Sequence, residues 1–180
     1  PLYKDDIVKA DKIQVLWIAN YKSWKQPHLF FDLAKDCQDI NAEFIMIGRI
    51  GNKRKQTLLN KKINRLDNIN HLGELSIEEV NNFLAKAHIF VNTSLDEGFP
   101  NTFIQAWLRE VPVVSLNVNP DNILGKNNIG VHAKTYPKML KDIRILISDS
   151  KLRTSMGENA RRYAKETHTL DNIENLIKLF

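Results

Sequence analysis

The chain of 180 residues carries 26 lysines and arginines against 21 aspartates and glutamates, and 43% of its residues are apolar. A chain of this length can bury a full core but is too short for two full-sized domains, and its composition excludes a disordered or fibrous protein. No apolar run approaches the ~18 residues of a membrane-spanning helix. The single cysteine, Cys37, excludes an internal disulfide, so we expect a cytoplasmic protein.

Short apolar runs recur along the chain with the lengths of β-strands. The first, at positions 13–19, is almost continuously apolar and rich in β-branched residues, as expected of a strand covered on both faces. Similar runs predict five further strands, at positions 43–48, 69–73, 89–94, 111–115 and 129–132.

Helical patterns separate these strands. Apolar spacing predicts helices at 27–37, 53–65, 77–87, 100–109, 138–147, 151–166 and 171–180. Pro27 fits a first helical turn, and Ser76 caps a helix whose first turn holds Glu78 and Glu79. Strands that alternate with helices predict one α/β domain over positions 1–180, with a doubly wound, Rossmann-like parallel sheet of about six strands.

The helix predicted at 53–65 carries most of the excess positive charge. Its basic residues are Lys53, Arg54, Lys55, Lys61, Lys62 and Arg65. Such a run is most often a solvated helix face, and an anionic membrane surface or an acidic partner is the alternative. Because no aromatic residues interleave with these charges and no nucleic-acid motif is present, we expect no nucleic-acid partner.

Ligands of doubly wound sheets bind at the carboxyl ends of the strands, which directs attention to loops 20–26, 48–51, 73–75 and 94–102. In the last loop, Gly98 permits close approach of the backbone to a ligand. Asn101 or Thr102 can cap the next helix behind Pro100, so that its free amides face an anion beside Glu97. The alternative from these residues alone is an ordinary loop before a capped helix.

The residues from Glu97 to Trp107 (EGFPNTFIQAW), followed by the strand at 111–115, resemble the donor-binding motif of retaining glycosyltransferases of family 4. Three other segments match the same family in the correct order, so the resemblance covers nearly the whole chain. They are the opening strand and lysine loop at 15–27, the third strand at 68–75 and a late helix at 156–164.

This resemblance implies one half of a GT-B enzyme, in which two Rossmann-like domains enclose a cleft. It implies a nucleotide-sugar donor as substrate, no cofactor and no obligatory metal. The chain matches only the C-terminal, donor-binding domain and begins at Pro1 rather than Met, so we expect an excised domain. Its partner would be the missing N-terminal acceptor domain, and the chain alone would bind donor without turnover. The whole enzyme would transfer a hexose-type sugar with retention to a glycan or glycan-lipid, in cell-surface polysaccharide synthesis, in the cytoplasm or at the inner membrane face.

By the same resemblance, the catalytic residues are Glu97, on hydroxyls of the transferred sugar, and Lys25, on the diphosphate. The turn formed by Gly98, Phe99, Pro100, Asn101 and Thr102 would hold the sugar and the distal phosphate. The base would stack near Gly48, Arg49 and the loop from Gly73 to Leu75. Trp24, in the lysine loop, could shape the donor cleft.

The chain departs from the family pattern at two donor-binding positions. Gln105 stands where the family has a glutamate that accepts hydrogen bonds from the ribose, so ribose binding should weaken. Asn20 stands where an arginine often contacts the diphosphate, a loss that Arg49 could partly offset.

Three other functions remain open from the sequence. A nucleotide-binding module without transferase activity would explain Gln105 and Asn20 as signs of lost catalysis. A Rossmann dehydrogenase would need a glycine-rich fingerprint after the first strand, where residues 19–22 read ANYK instead. A basic interaction module would show salt-sensitive binding to lipid or nucleic acid.

Overall fold

The computed structural model of the chain describes residues 7–51 and 53–168. Within these ranges, strands alternate with helices as predicted. The strands are β1 (Ile13–Ile18), β2 (Ala42–Ile47), β3 (Ile69–His71), β4 (Ile89–Asn92), β5 (Val113–Ser115) and β6 (Gly130–His132). The helices are α1 (Pro27–Asp36), α2 (Lys53–Ile63), α3 (Ile77–Lys86), α4 (Asn101–Trp107), α5 (Ile123–Lys126), α6 (Tyr136–Ser148) and α7 (Ser150–Thr167). Short 3-10 helices form at Ser23–Lys25 and Pro120–Asn122.

The strands form a single parallel sheet in the order β3-β2-β1-β4-β5-β6. This order confirms the predicted doubly wound, Rossmann-like fold. The neighbours β1 and β2 pair over their full lengths, from Ile13 with Ala42 to Ile18 with Ile47. The chain leaves β1 toward β2 and later returns to the other side of β1 as β4. The strand order therefore reverses between β1 and β4, where such folds bind their ligands.

Each face of the sheet is covered by helices. Successive residues of a strand point to opposite faces, so Val15 and Trp17 of β1 pack against one layer while Leu16 packs against the other. The first layer draws its buried residues from α1, α2 and α6, and the second from α3, α4 and α5. Helix α7 contributes to both layers. The central strands β1, β2, β4 and β5 are largely buried on both faces, which is why their sequences read as nearly continuous apolar runs.

The ends of the helices agree with the sequence in one case and differ in another. Ser76 and Glu79 form a reciprocal capping box at the start of α3, as the prediction of a Ser76 cap requires. The prediction that Asn101 or Thr102 caps α4 is wrong. Both residues are already helical, and the cap position is occupied by Pro100, whose side chain has no acceptor.

Gly48 fixes how closely the loops after β1 and β2 approach each other. Its φ is +147°, and a Cβ there would lie 1.8 Å from the carbonyl oxygen of Ala19. Its amide donates to the carbonyl of Gly73 at 2.7 Å. Because only glycine fits this approach, the glycine at position 48 is explained by the packing of three loop backbones.

Two further expectations concern the C-terminal helix and membrane-spanning helices. The helix predicted at 171–180 lies outside the described residues. None of the helices that the structure describes has the length and apolarity that a membrane span requires.

Candidate functional site

A cleft of about 570 Å³ opens at the carboxyl ends of β1, β2 and β4. It lies at the reversal of strand order between β1 and β4, where the fold predicts a ligand site. Of the sequence-predicted site residues, those that line the cleft are Asn20, Lys25, Gly48, Leu75, Glu97, Pro100, Asn101 and Thr102. The structure therefore brings together residues from four separate loops.

The centre of the cleft holds an ion pair between Lys25 and Glu97. The Nζ atom of Lys25 lies 2.6 Å from Oε2 of Glu97, and each side chain is 20% exposed. Lys25 ends the 3-10 helix that follows β1, and Glu97 lies in the loop between β4 and α4. The pair thus joins the two loops on either side of the strand-order reversal and gives the cleft a cation and an anion side by side.

Asn92 holds the other oxygen of the Glu97 carboxylate. Its Nδ2 donates to Oε1 of Glu97 at 2.9 Å, while its Oδ1 accepts a hydrogen bond from the backbone N–H of Ser94 at 3.0 Å. Burial alone would raise the pKa of Glu97. Hydrogen bonds from Lys25, Ser94 and Asn92, together with the positive charge of Lys25, outweigh burial and hold that pKa below its ordinary value. Glu97 is therefore an anion at neutral pH, and it lines the cleft.

Backbone and hydroxyl hydrogen bonds keep the two loops in register. The hydroxyl of Thr93 donates to the carbonyl of Lys25 at 2.6 Å and accepts from Nε1 of Trp17 at 2.9 Å. The N–H of Leu95 donates to the carbonyl of Trp24 at 2.7 Å. Because Trp17 lies in the buried strand β1, this network anchors the Lys25 loop to the core.

A second cation lies at the rim of the cleft. Lys22 and Trp24 both line it, and the Nζ atom of Lys22 lies 4.8 Å from the centre of the Trp24 ring, which is a cation–π distance. Trp24 is 43% exposed. Its ring therefore presents an aromatic face at the cleft, in agreement with the expectation that it could shape this region.

Five predicted site residues do not line the cleft: Arg49, Gly73, Gly98, Phe99 and Gln105. The Phe99 ring packs instead against Trp107 and His168, at centroid distances of 6.1 and 5.1 Å. Arg49 is exposed, and its Nε lies 3.9 Å from a carboxylate oxygen of Glu74.

Gln105 lies on α4, one turn beyond the residues of that helix that face the cleft. Because α4 runs away from the cleft with a rise of 1.5 Å per residue, Gln105 is about 4.5 Å further along the helix axis than Thr102. Its backbone carbonyl accepts a hydrogen bond from the guanidinium of Arg109.

Asn92 is the functional candidate that the sequence reasoning missed. It lies inside the predicted fourth strand, where its neighbours Phe90 and Val91 are fully apolar and buried. A polar side chain in an otherwise apolar strand was the available signal. Lys22 and Glu74 lie in loops where ligands were expected, but neither had been assigned a role.

A metal ion in this cleft would need several ligating side chains close together. Across residues 7–51 and 53–168, the His, Cys, Asp and Glu side chains form no group of three or more that could hold a metal ion.

Comparison with known proteins gives the same fold and a family. A family model described as "Glycosyl transferases group 1" matches residues 3–163. The chain is 27% identical over 154 residues to an uncharacterized glycosyltransferase, MJ1178, of Methanocaldococcus jannaschii, which covers 84% of this chain and 43% of that protein. It is 32% identical over 83 residues to the capsular polysaccharide biosynthesis glycosyltransferase CapM of Staphylococcus aureus, covering 44% of this chain and 22% of that protein.

A solved structure shows the same fold. The chain superposes with a TM-score of 0.83 and 20% identity on a mutant of TarM from Staphylococcus aureus, crystallised with fondaparinux, alpha-GlcNAc-glycerol and UDP. The likeness covers 99% of this chain and 37% of that one. The chain thus spans less than half the length of each of these three proteins.

Proposed function

This chain belongs to the group 1 glycosyl transferases, and from that premise we propose that it is the donor-binding, C-terminal domain of a retaining GT-B enzyme of family 4. The whole enzyme would move a hexose-type sugar from a nucleotide-diphosphate sugar to a glycan or glycan-lipid. The observation that carries the proposal is the Lys25–Glu97 pair, a cation and an anion held together in the ligand cleft of the fold. A nucleotide sugar needs both, because it joins a diphosphate to a sugar rich in hydroxyl groups.

Each member of the pair has a separate role in this proposal. Negative charge develops on the departing nucleoside diphosphate as the bond to the sugar breaks, and the Lys25 ammonium would stabilise it. The Glu97 carboxylate accepts hydrogen bonds and would bind hydroxyls of the transferred sugar. Lys22, at the rim, would add the second positive charge that Asn20 does not supply. With the diphosphate neutralised by lysines, the proposed reaction requires no metal or other cofactor.

The acceptor and the rest of the catalytic environment would come from another domain. The chain spans 43% of the M. jannaschii relative and 37% of the TarM chain, which supports a second half of similar size that binds the acceptor. We therefore expect this domain alone to bind donor and not to transfer sugar.

Two relatives support a substrate class. CapM is named for capsular polysaccharide biosynthesis, and the TarM structure contains UDP and a sugar-glycerol compound. By analogy, we propose a role in cell-surface polysaccharide synthesis for the whole enzyme.

The exposed basic face of α2 supports the proposal that the whole enzyme acts at the cytoplasmic face of a membrane. Arg54, Lys61 and Lys62 are exposed on this helix, beside Leu58, which is also exposed. Anionic headgroups attract such a face, and an apolar side chain among the charges adds to binding. Sedimentation with vesicles that contain or lack anionic lipid tests this location.

The donor proposal is tested by titrating the chain with UDP, GDP and ADP while backbone amide shifts are followed by NMR. We expect saturable shifts of Lys25, Gly98 and Thr102 with one nucleotide, which also identifies the base. No shift with any of the three at millimolar concentration contradicts donor binding. Transfer activity of the full-length protein with a nucleotide sugar then separates a transferase from a nucleotide-binding module without activity.

A further inference from the structure

We propose that Asn92 is a positioning residue, whose side-chain amide holds the Glu97 carboxylate in its sugar-binding orientation when a donor diphosphate draws Lys25 away. The inference rests on the proposed function and goes beyond it, because it assigns a role to a cleft residue that acts through Glu97.

The geometry of Asn92 suits this role. It is the last residue of β4 and is 6% exposed. Both ends of its amide are occupied, since Nδ2 donates to Glu97 at 2.9 Å and Oδ1 accepts from the N–H of Ser94 at 3.0 Å. A buried amide bonded at both ends has one orientation, so the Asn92 amide holds the Glu97 carboxylate in a fixed position relative to β4.

The need for a second support follows from the position of Lys25. Its Nζ is 2.6 Å from one oxygen of Glu97, and a diphosphate in the cleft competes for the same ammonium. Asp96, next to Glu97 in the sequence, is exposed and carries the same charge as Glu97. As Lys25 turns to the phosphates, the hydrogen bonds from Asn92 and Ser94 are what keep the half-buried carboxylate ionised and oriented.

The role is tested by comparing ligands with and without the sugar. Calorimetry would measure binding of UDP and UDP-glucose, GDP and GDP-mannose, and ADP and ADP-glucose to the wild-type chain and to Asn92→Ala. We expect Asn92→Ala to weaken the preferred nucleotide sugar about tenfold, the usual effect of losing a hydrogen bond to a charged group, with little change for its nucleoside diphosphate. If both ligands lose affinity equally, or if neither loses affinity, the positioning role is overturned.

A matched control is available in the neighbouring loop, which follows β5. The Nδ2 of Asn117 donates to the carbonyl of Ser94 at 3.1 Å and does not contact Glu97. Asn117→Ala removes an asparagine amide that supports the Ser94 backbone and leaves the hydrogen bond from Asn92 to the carboxylate in place, so we expect both ligands to bind as they do to the wild type. A sugar-specific loss in this variant as large as that of Asn92→Ala would overturn the role, because loosening of the loop would then explain the effect.

A second variant gives a readout that needs no donor. Asn92→Asp keeps the shape and the acceptor for Ser94 but places a second carboxyl group against Glu97. The two carboxyls repel each other when both are ionised, so we expect the Glu97 carboxyl to titrate at higher pH when followed by carbon NMR. An unchanged titration of Glu97 overturns the contact itself. If the wild-type chain binds no nucleotide but this titration shifts, the contact stands and the sugar-binding role fails together with the proposed function.

Discussion

The Lys25 ammonium and the Glu97 carboxylate lie 2.6 Å apart, although they belong to loops on opposite sides of the boundary between β1 and β4. In a half-buried cleft, such a pair lowers the pKa of the acid and cancels much of the local field. A diphosphate that enters must therefore compete with Glu97 for the cation. Under the proposed function, the net contribution of Lys25 to donor binding is its attraction to the diphosphate less its attraction to Glu97.

Replacing Lys25 by methionine keeps most of the side-chain volume and removes the charge. We expect nucleoside diphosphate binding to weaken by about 1.5–3 kcal/mol, since hydrogen bonds to charged groups contribute this much. The pKa of Glu97 should rise in the same variant, because its cationic partner is gone. Calorimetry measures the first effect and NMR titration the second. The control is Lys141→Met, which removes an exposed charge from α6; equal affinities in the two variants would contradict the assignment of Lys25.

Replacing Thr93 by valine tests the link between the Lys25 loop and the core. Valine has nearly the same shape, but it leaves Nε1 of buried Trp17 and the carbonyl of Lys25 without the hydroxyl. We expect the free energy of unfolding to fall by about 1–3 kcal/mol, the cost of an unsatisfied buried donor. Urea denaturation measures this change. Thr93→Ser, which retains the hydroxyl, should recover a large part of the stability, and a serine variant as unstable as the valine variant would contradict the hydrogen-bond explanation.

Two glycines in the ligand loops should respond differently to alanine. Gly48→Ala forces a Cβ to within 1.8 Å of a backbone oxygen, so we expect a loss of more than about 2 kcal/mol of stability. Around Gly98, no protein atom lies within 4 Å of an added Cβ, and Gly98→Ala should change stability by less than about 0.5 kcal/mol.

Donor binding distinguishes the second glycine from an ordinary surface position. If the backbone at Gly98 approaches the ligand, Gly98→Ala should weaken nucleotide sugar binding while the melting temperature stays near that of the wild type. A variant that binds as well as the wild type would remove Gly98 from the site.

Much of the fold was predictable because its signals are local. Strands buried on both faces need continuous apolar runs, and a capping box needs only Ser76 and Glu79 three residues apart. Helix α5 was missed because its four residues are too few to show a period. The backbone at Glu110 shows a further local effect, since its φ of +57° lies in the left-handed region that favours glycine.

The site was predictable only in part because its geometry is set by contacts across the sheet. The resemblance nominated Lys25 and Glu97 separately, but their ion pair depends on the order of β1 and β4. Phe99 follows Glu97 and Gly98 directly in the motif, yet its ring packs against Trp107 and His168. Adjacency in the motif does not specify the direction of a side chain, and Asn92 gave no signal beyond its polarity.

His88 gives the folded chain a predictable response to acid. It is 9% exposed, and its Nδ1 accepts a hydrogen bond from the N–H of Gln14. Burial, with the nearby charges of Arg153 and Lys9, lowers its pKa to about 4. Between pH 6.5 and 4 the unfolded chain binds a proton that the folded chain does not, so stability falls as the pH falls through this window.

The contribution of His88 has an upper slope of about 1.4 kcal/mol per pH unit. In His88→Gln, whose amide oxygen can accept the Gln14 bond, we expect a flatter dependence of the unfolding free energy on pH between 6.5 and 4. Denaturation curves at several pH values measure both proteins, and parallel curves would contradict a lowered pKa for His88.

The aromatic contacts of Phe99 connect the loop between β4 and α4 to the C-terminal end of α7. Phe99 and Glu97 flank Gly98, so they share one short piece of backbone. The Phe99 ring packs against Trp107 and His168. Both of these rings also pack against Tyr163. A rotation of the last turn of α7 would displace Phe99 on one side of Gly98 and thereby shift the Glu97 carboxylate on the other side. Through this aromatic cluster, the last described turn of α7 is therefore coupled to the loop that carries Glu97.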